Sequence, residues 1–232
     1  MFKSAGFGVL VLLLAACGVP PPRPAAPPPA ESISRPGLPP GRAYRIDERQ
    51  SELRVLVYRA GPLALFGHNH VLVNRALRGE VGLGEAPGES TFRLNVPAAG
   101  FVVDDPPARR EEGPDFAGEV SDDDKSSTAL NMLSTAVLDA REFPVIAVNS
   151  IAVSDTQGAG ALTATVAISV AGHESRIEVP FTLQVDSGRL TATGSLQLRQ
   201  SALGLTPYSI MLGALQVQDA MTIKFKLVAV RA

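Results

Sequence analysis

Tryptophan is absent, cysteine occurs once, histidine three times, and aromatic residues make up only 5% of the 232-residue chain. With Cys17 alone, no internal disulfide can form, so the folded part must be stabilised by packing. The formal net charge of -2 is spread over both signs, and no basic patch interleaved with aromatics occurs, which argues against a nucleic-acid partner. No nucleophile-base pattern, glycine-rich phosphate loop or recognised pair of acids is present, so an enzymatic reading has no residues to rest on and a non-enzymatic protein is expected. Asp122-Asp123-Asp124 is no calcium loop, which needs carboxylates at alternating positions around a glycine.

The first residues carry a different signal. Lys3 precedes an apolar run over residues 7–14, the length of a signal-peptide core and well short of the ~20 residues that span a bilayer. Leu14-Ala15-Ala16-Cys17-Gly18 resembles the bacterial lipobox, whose cysteine is acylated after cleavage. That resemblance implies a lipoprotein signal peptide over residues 1–16 and an anchor at Cys17. It also implies a periplasmic location, with Gly18 after the cysteine favouring the outer membrane. Several acyl chains on one residue anchor stably where a single chain does not. Residues 19–41 are rich in proline and alanine, so they read as a semi-rigid tether in extended polyproline conformation. We therefore expect lipidated Cys17 and tether over residues 17–42 and one folded domain over residues 43–232.

Within that domain the apolar residues fall on every second position. Leu162, Ala164, Val166, Ile168 and Val170 form one such set; Ile177, Val179, Phe181, Leu183 and Val185 form the next; Leu190, Ala192, Gly194, Leu196 and Leu198 form a third. Short glycine-containing turns join them, which is the pattern of an antiparallel meander with one dry and one wet face. Residues 53–58, 77–83, 91–96, 145–153 and 215–230 read as further strands. Residues 104–125 read as an acidic, solvated loop. Ser126, Ser127 and Thr128 are N-cap types ahead of Leu130, Leu133 and Val137 at helical spacing, so one helix is expected there. About eight strands and one helix suit a closed all-β barrel, because closure removes unprotected edges.

The ordered features resemble the YceI-like, lipocalin-like polyisoprenoid-binding family from Tyr44 to Val230. The matching pieces are Tyr44-Arg45-Ile46-Asp47 with Ser51, Met132-Leu133 followed by residues 138–144, the strands over 162–172 and 177–183, and residues 199–204 leading to Val217-Gln218-Asp219. The resemblance implies an extended eight-stranded antiparallel barrel with a helix near its mouth and an isoprenoid lipid, such as a polyprenyl phosphate or a quinone, inside. His68-Asn69-His70 and the acidic insertion depart from the family pattern.

The physics permits such a channel independently. An eight-stranded barrel is just wide enough to be filled by side chains or to hold one ligand, and the alternating sets here are rich in small aliphatics, which fill a barrel poorly. Candidate lining residues are Val55, Val57, Phe92, Leu94, Val166, Ile168, Phe181, Leu183, Ile223 and Phe225. The expected role is that of a carrier or store for an isoprenoid lipid. A second reading places a divalent metal at His68 and His70, two apart in an extended segment and so on one side, with His173, Asp104 or Asp105 as a third ligand. A third reading is an envelope interaction module with nothing inside. The sequence leaves open whether two copies form a homodimer.

Overall fold

The computed structural model describes residues 42–158 and 160–232. The expected signal peptide, the acylated Cys17 and the tether lie outside the described residues. Among the described residues no helix is long and apolar enough to cross a membrane.

The strands in chain order are β1 (Arg42–Ile46), β2 (Glu52–Ala60), β3 (His70–Asn74), β4 (Arg78–Leu83), β5 (Thr91–Pro97), β6 (Phe101–Val103), β7 (Val145–Gly158), β8 (Ala161–Val170), β9 (His173–Asp186), β10 (Arg189–Arg199), β11 (Ser209–Ile210) and β12 (Leu215–Arg231). Two helices, α1 (Pro106–Glu111) and α2 (Asp122–Leu133), separate β6 from β7. All strand pairings are antiparallel, running β1-β4-β5-β7-β8-β9-β10-β12, and β12 pairs back to β1 to close the ring. The barrel therefore has eight wall positions, as expected for the fold class.

Three of those walls are each built from two short strands. β12 pairs with β1 at Tyr44 opposite Arg231 and with β2 from Glu52 opposite Lys226 to Ala60 opposite Gln216, so β1 and β2 form one interrupted strand. In the same way β3 and β4 share the next wall, and β5 and β6 the one after it. Buried polar side chains hold two of the breaks. At the first, Ser51 Oγ accepts from Val228 N at 2.9 Å and donates to Val228 O at 3.2 Å. At the second, Asn74, wholly buried, donates to Pro97 O at 2.8 Å and accepts from Ala76 N at 2.9 Å. Breaking a wall would otherwise leave buried backbone groups without partners.

The segment over 104–133 corrects two expectations. In place of a solvated acidic loop, it folds against the outside of the barrel, where Leu56, Val71 and Val73 form a small core with Ala108 and Phe116. Asp105 caps α1 by accepting from Ala108 N, and Pro106 suits the first helical turn, which needs no N–H. Helix α2 starts at Ser121 rather than at residues 126–128. Ser121 accepts from Asp124 N, and Asp122, Asp123 and Asp124 fill the first turn, where carboxylates are favoured by the helix dipole. Leu130 is exposed, and Val137 lies beyond the helix end and packs under the barrel.

Candidate ligand cavity

The alternation seen in the sequence decides what the lumen is made of. On β2, Leu53, Val55 and Val57 point inward while Arg54, Leu56 and Tyr58 point to the outer core or to its ion pairs. On β12, Met221, Ile223, Phe225, Leu227 and Ala229 point inward after a bulge between Val217 and Met221. The inner faces enclose a cavity of about 620 Å³, within the ordinary range for small-molecule sites. Val55, Val57, Phe92, Leu94, Val166, Ile168, Phe181, Leu183, Ile223 and Phe225 all line it.

The two ends differ. One is plugged by buried Met132 of α2, Leu138, Val170 and Leu203. The other lies where Arg42 starts β1, the 84–90 turn joins β4 to β5, and β7 turns into β8; there Arg42, Glu85, Ser90 and Asp155 border the cavity and Val185 is largely exposed. Gly194 shapes the lumen between them. A Cβ at this position would lie 2.4 Å from Phe225 Cζ and 2.7 Å from Pro180 O, so the missing side chain makes room for the Phe225 ring.

The remaining chemistry-bearing residues lie outside the lumen. His70 opens β3, and its Nδ1 is 2.6 Å from Asp104 Oδ2; because a carboxylate accepts, the proton sits on Nδ1. Asp104 also accepts from Val71 N at 2.9 Å and from Arg109 Nη1 at 2.5 Å. Arg109 further donates to Asn69 O and Gly118 O and stacks 6.0 Å over the Phe116 ring. Burial alone would raise the Asp104 carboxyl, but His70, the Val71 N–H and Arg109 together hold it below the usual carboxylate range. His70 Nε2 lies 3.5 Å from Thr128 Oγ1 of α2, so this network ties the inserted segment to the barrel.

His68 and His70 have ring centroids 6.1 Å apart. Of the proposed third ligands, Asp104 is committed to His70 and Arg109, Asp105 caps α1, and His173 packs against Gly204. Among the described residues no group of three or more His, Cys, Asp or Glu side chains could hold a metal ion. Arg109, in sequence one of a pair of arginines inside the expected acidic loop, is a buried partner of Asp104. Its signals, an arginine five residues after Asp104 and a phenylalanine seven further on, belong to no known pattern.

A closed antiparallel barrel with an apolar lumen, plugged at one end and edged by polar groups at the other, has the architecture of a binding protein for elongated apolar molecules. The YceI-like domain family matches residues 44–229, and the chain belongs to that family. Burkholderia cenocepacia BcnA has the same fold, at a TM-score of 0.59 and 16% identity, with 79% of this chain and 98% of that one covered. A polyisoprenoid binding domain from Saccharophagus degradans, implicated in plant cell wall breakdown, matches at a TM-score of 0.54 and 12% identity, over 82% of this chain and 99% of that one. No curated protein matches the chain at a significant level.

Proposed function

We propose that the protein binds an isoprenoid-type lipid, a polyprenyl phosphate or a quinone, in the barrel lumen, and serves as a carrier or store without catalysing a reaction. The observation that carries this reading is the cavity of about 620 Å³ whose wall is formed by inward aliphatic and phenylalanine side chains. A methyl-branched polyprenyl chain gains from such a wall at every carbon, at roughly 0.8 kcal/mol per buried methylene, and needs no polar partner along its length. Only its head requires one, and the polar groups stand at the end where a head would sit. Membership of the YceI-like family and the fold shared with a polyisoprenoid binding domain support the same class of ligand.

The lipobox-like Leu14-Ala15-Ala16-Cys17 adds a location: a protein held by acylated Cys17 on the periplasmic side of the outer membrane, with the barrel on a proline-rich tether. A lipid carrier works where its cargo is, and that cargo resides in membranes.

The test is mass spectrometry of an organic extract of the barrel, residues 41–232, exported to the periplasm of its own host and purified without detergent. One isoprenoid per barrel is the expected result and would name the headgroup. A folded barrel that yields no lipid would overturn the reading.

A further inference from the structure

Two neighbouring turns at the plugged end of the barrel carry large apolar side chains into solvent. The first, a 3-10 turn over Ala64–Phe66, leaves Leu65 84% and Phe66 79% exposed. The second, over Met211–Gly213, leaves Met211 66% exposed and Leu212 fully so. They stand side by side: Leu63 N donates to Ala214 O at 2.8 Å, and the backbone of Gly61 is so close to Gly213 and Ala214 that a Cβ there would lie 2.5 Å from Ala214 O. One protrusion therefore presents four of the chain's largest apolar groups.

Nothing in the fold needs them outside. Met211 and Leu212 sit at φ +52° and +55°, a left-handed backbone that costs free energy for non-glycine residues and persists where function holds it in place. Exposed apolar groups grouped at one tip mark an interaction site. Four apolar side chains this exposed on two adjoining turns fit a lipid boundary, into which Leu and Phe side chains insert from a surface-bound protein. At the base of the first turn the exposed Arg59 donates to Gly67 O at 2.7 Å and pairs with no acid among the described residues, so a cation stands beside the apolar tip.

We propose that this end of the barrel is seated on phospholipid, with Leu65, Phe66, Met211 and Leu212 in the acyl boundary and Arg59 at the phosphates. The lipid-binding reading is not required for it. Acylated Cys17 is invoked only to bring the protein to the bilayer.

The test uses the full chain in vesicles of phosphatidylethanolamine and phosphatidylglycerol, with an environment-sensitive fluorophore on Leu212→Cys or, as a control at the mouth, on Ser187→Cys. Intact mass reports separately whether Cys17 is acylated. Doxyl-labelled lipids should quench the probe at 212 at least severalfold more than that at 187, and exchange of phosphatidylglycerol for phosphatidylcholine should lessen the difference. Equal, water-like signals at both positions would overturn the proposal. So would shielding at 212 that follows protein concentration without lipid quenching, since that would mean a second copy occupies the tip, and so would failure of the protein to float with the vesicles.

Discussion

His70 Nδ1 and Asp104 Oδ2 lie 2.6 Å apart at the seam between the barrel wall and the segment folded on its outside. Asp104 is completely buried and carries the contact together with Arg109, itself nearly buried. Removing one member of a buried ionic pair leaves the other charge uncompensated, at a cost of about 3–5 kcal/mol. Asp104→Ala should therefore lower unfolding free energy by that amount in denaturant titration, whereas Leu130→Ala, at an exposed helical position, should change it by less than about 0.5 kcal/mol.

The same carboxyl has a signature in acid. Its folded-state pKa lies below that of the unfolded chain, so its contribution is complete above about pH 3.9, the ordinary aspartate value, and is lost as pH falls through the lower folded value. The wild-type protein should lose stability over that interval. In Asp104→Asn the loss should be smaller, although that variant is less stable at neutral pH. Parallel acid titrations of the two by circular dichroism would reveal it.

Ser51 is one of the residues that carry the family resemblance, and its bonds to Val228 show what it does. Its hydroxyl satisfies both backbone groups of Val228 where β12 passes from pairing with β2 to pairing with β1. Ser51→Ala would take the partner from the buried Val228 N–H, while Val228 O keeps its bond from Asp47 N at 2.8 Å, and should cost about 1–3 kcal/mol. Thermal unfolding measures this, and Ser51→Thr, if its methyl group is accommodated, should recover part of the loss.

Period-two patterning made the lumen legible, because a barrel strand has one face towards an apolar interior and the next residue towards water. The ten residues read from β2, β5, β8, β9 and β12 accordingly line one cavity. The segment over 104–133 was illegible for the opposite reason. A six-residue helix shows no period, and Asp104 becomes a buried residue only through Arg109 and His70, which reach it in space. Asp122, Asp123 and Asp124 read as loop by composition, yet their charges favour a helix start once Ser121 caps it. The breaks at residues 47–51 and 75–77 have no sequence pattern of their own, since the bonds that Ser51 and Asn74 make cross to distant strands or bridge the break itself.

Arg42 tests which head the lipid carries. It borders the cavity at the polar end and is exposed. A phosphate head would gain a charge-assisted contact there, while a quinone head carries no charge for it to meet. Arg42→Glu should reduce retention of a polyprenyl phosphate several-fold and leave a quinone unchanged, as read by lipid-to-protein ratio after purification.

Ala192 tests the lumen itself. It lies on β10 opposite Leu183 of β9 and Leu227 of β12, all three lining the cavity, so a side chain added here must grow into the space proposed for the lipid. Thr193, the next residue, is exposed on the outer face. If the lumen holds the chain of an isoprenoid, Ala192→Phe should cut the lipid recovered per barrel by at least about tenfold. Thr193→Phe, with the same added ring on the same strand, should retain it. Filling empty apolar space does not carry the strain that overpacking a dense core does, so Ala192→Phe should also unfold at a temperature no lower than that of the lipid-free wild type. Equal lipid content in the two variants would place the binding site elsewhere, and a large loss of stability in Ala192→Phe would mean that the lumen around β10 is already filled by its own side chains.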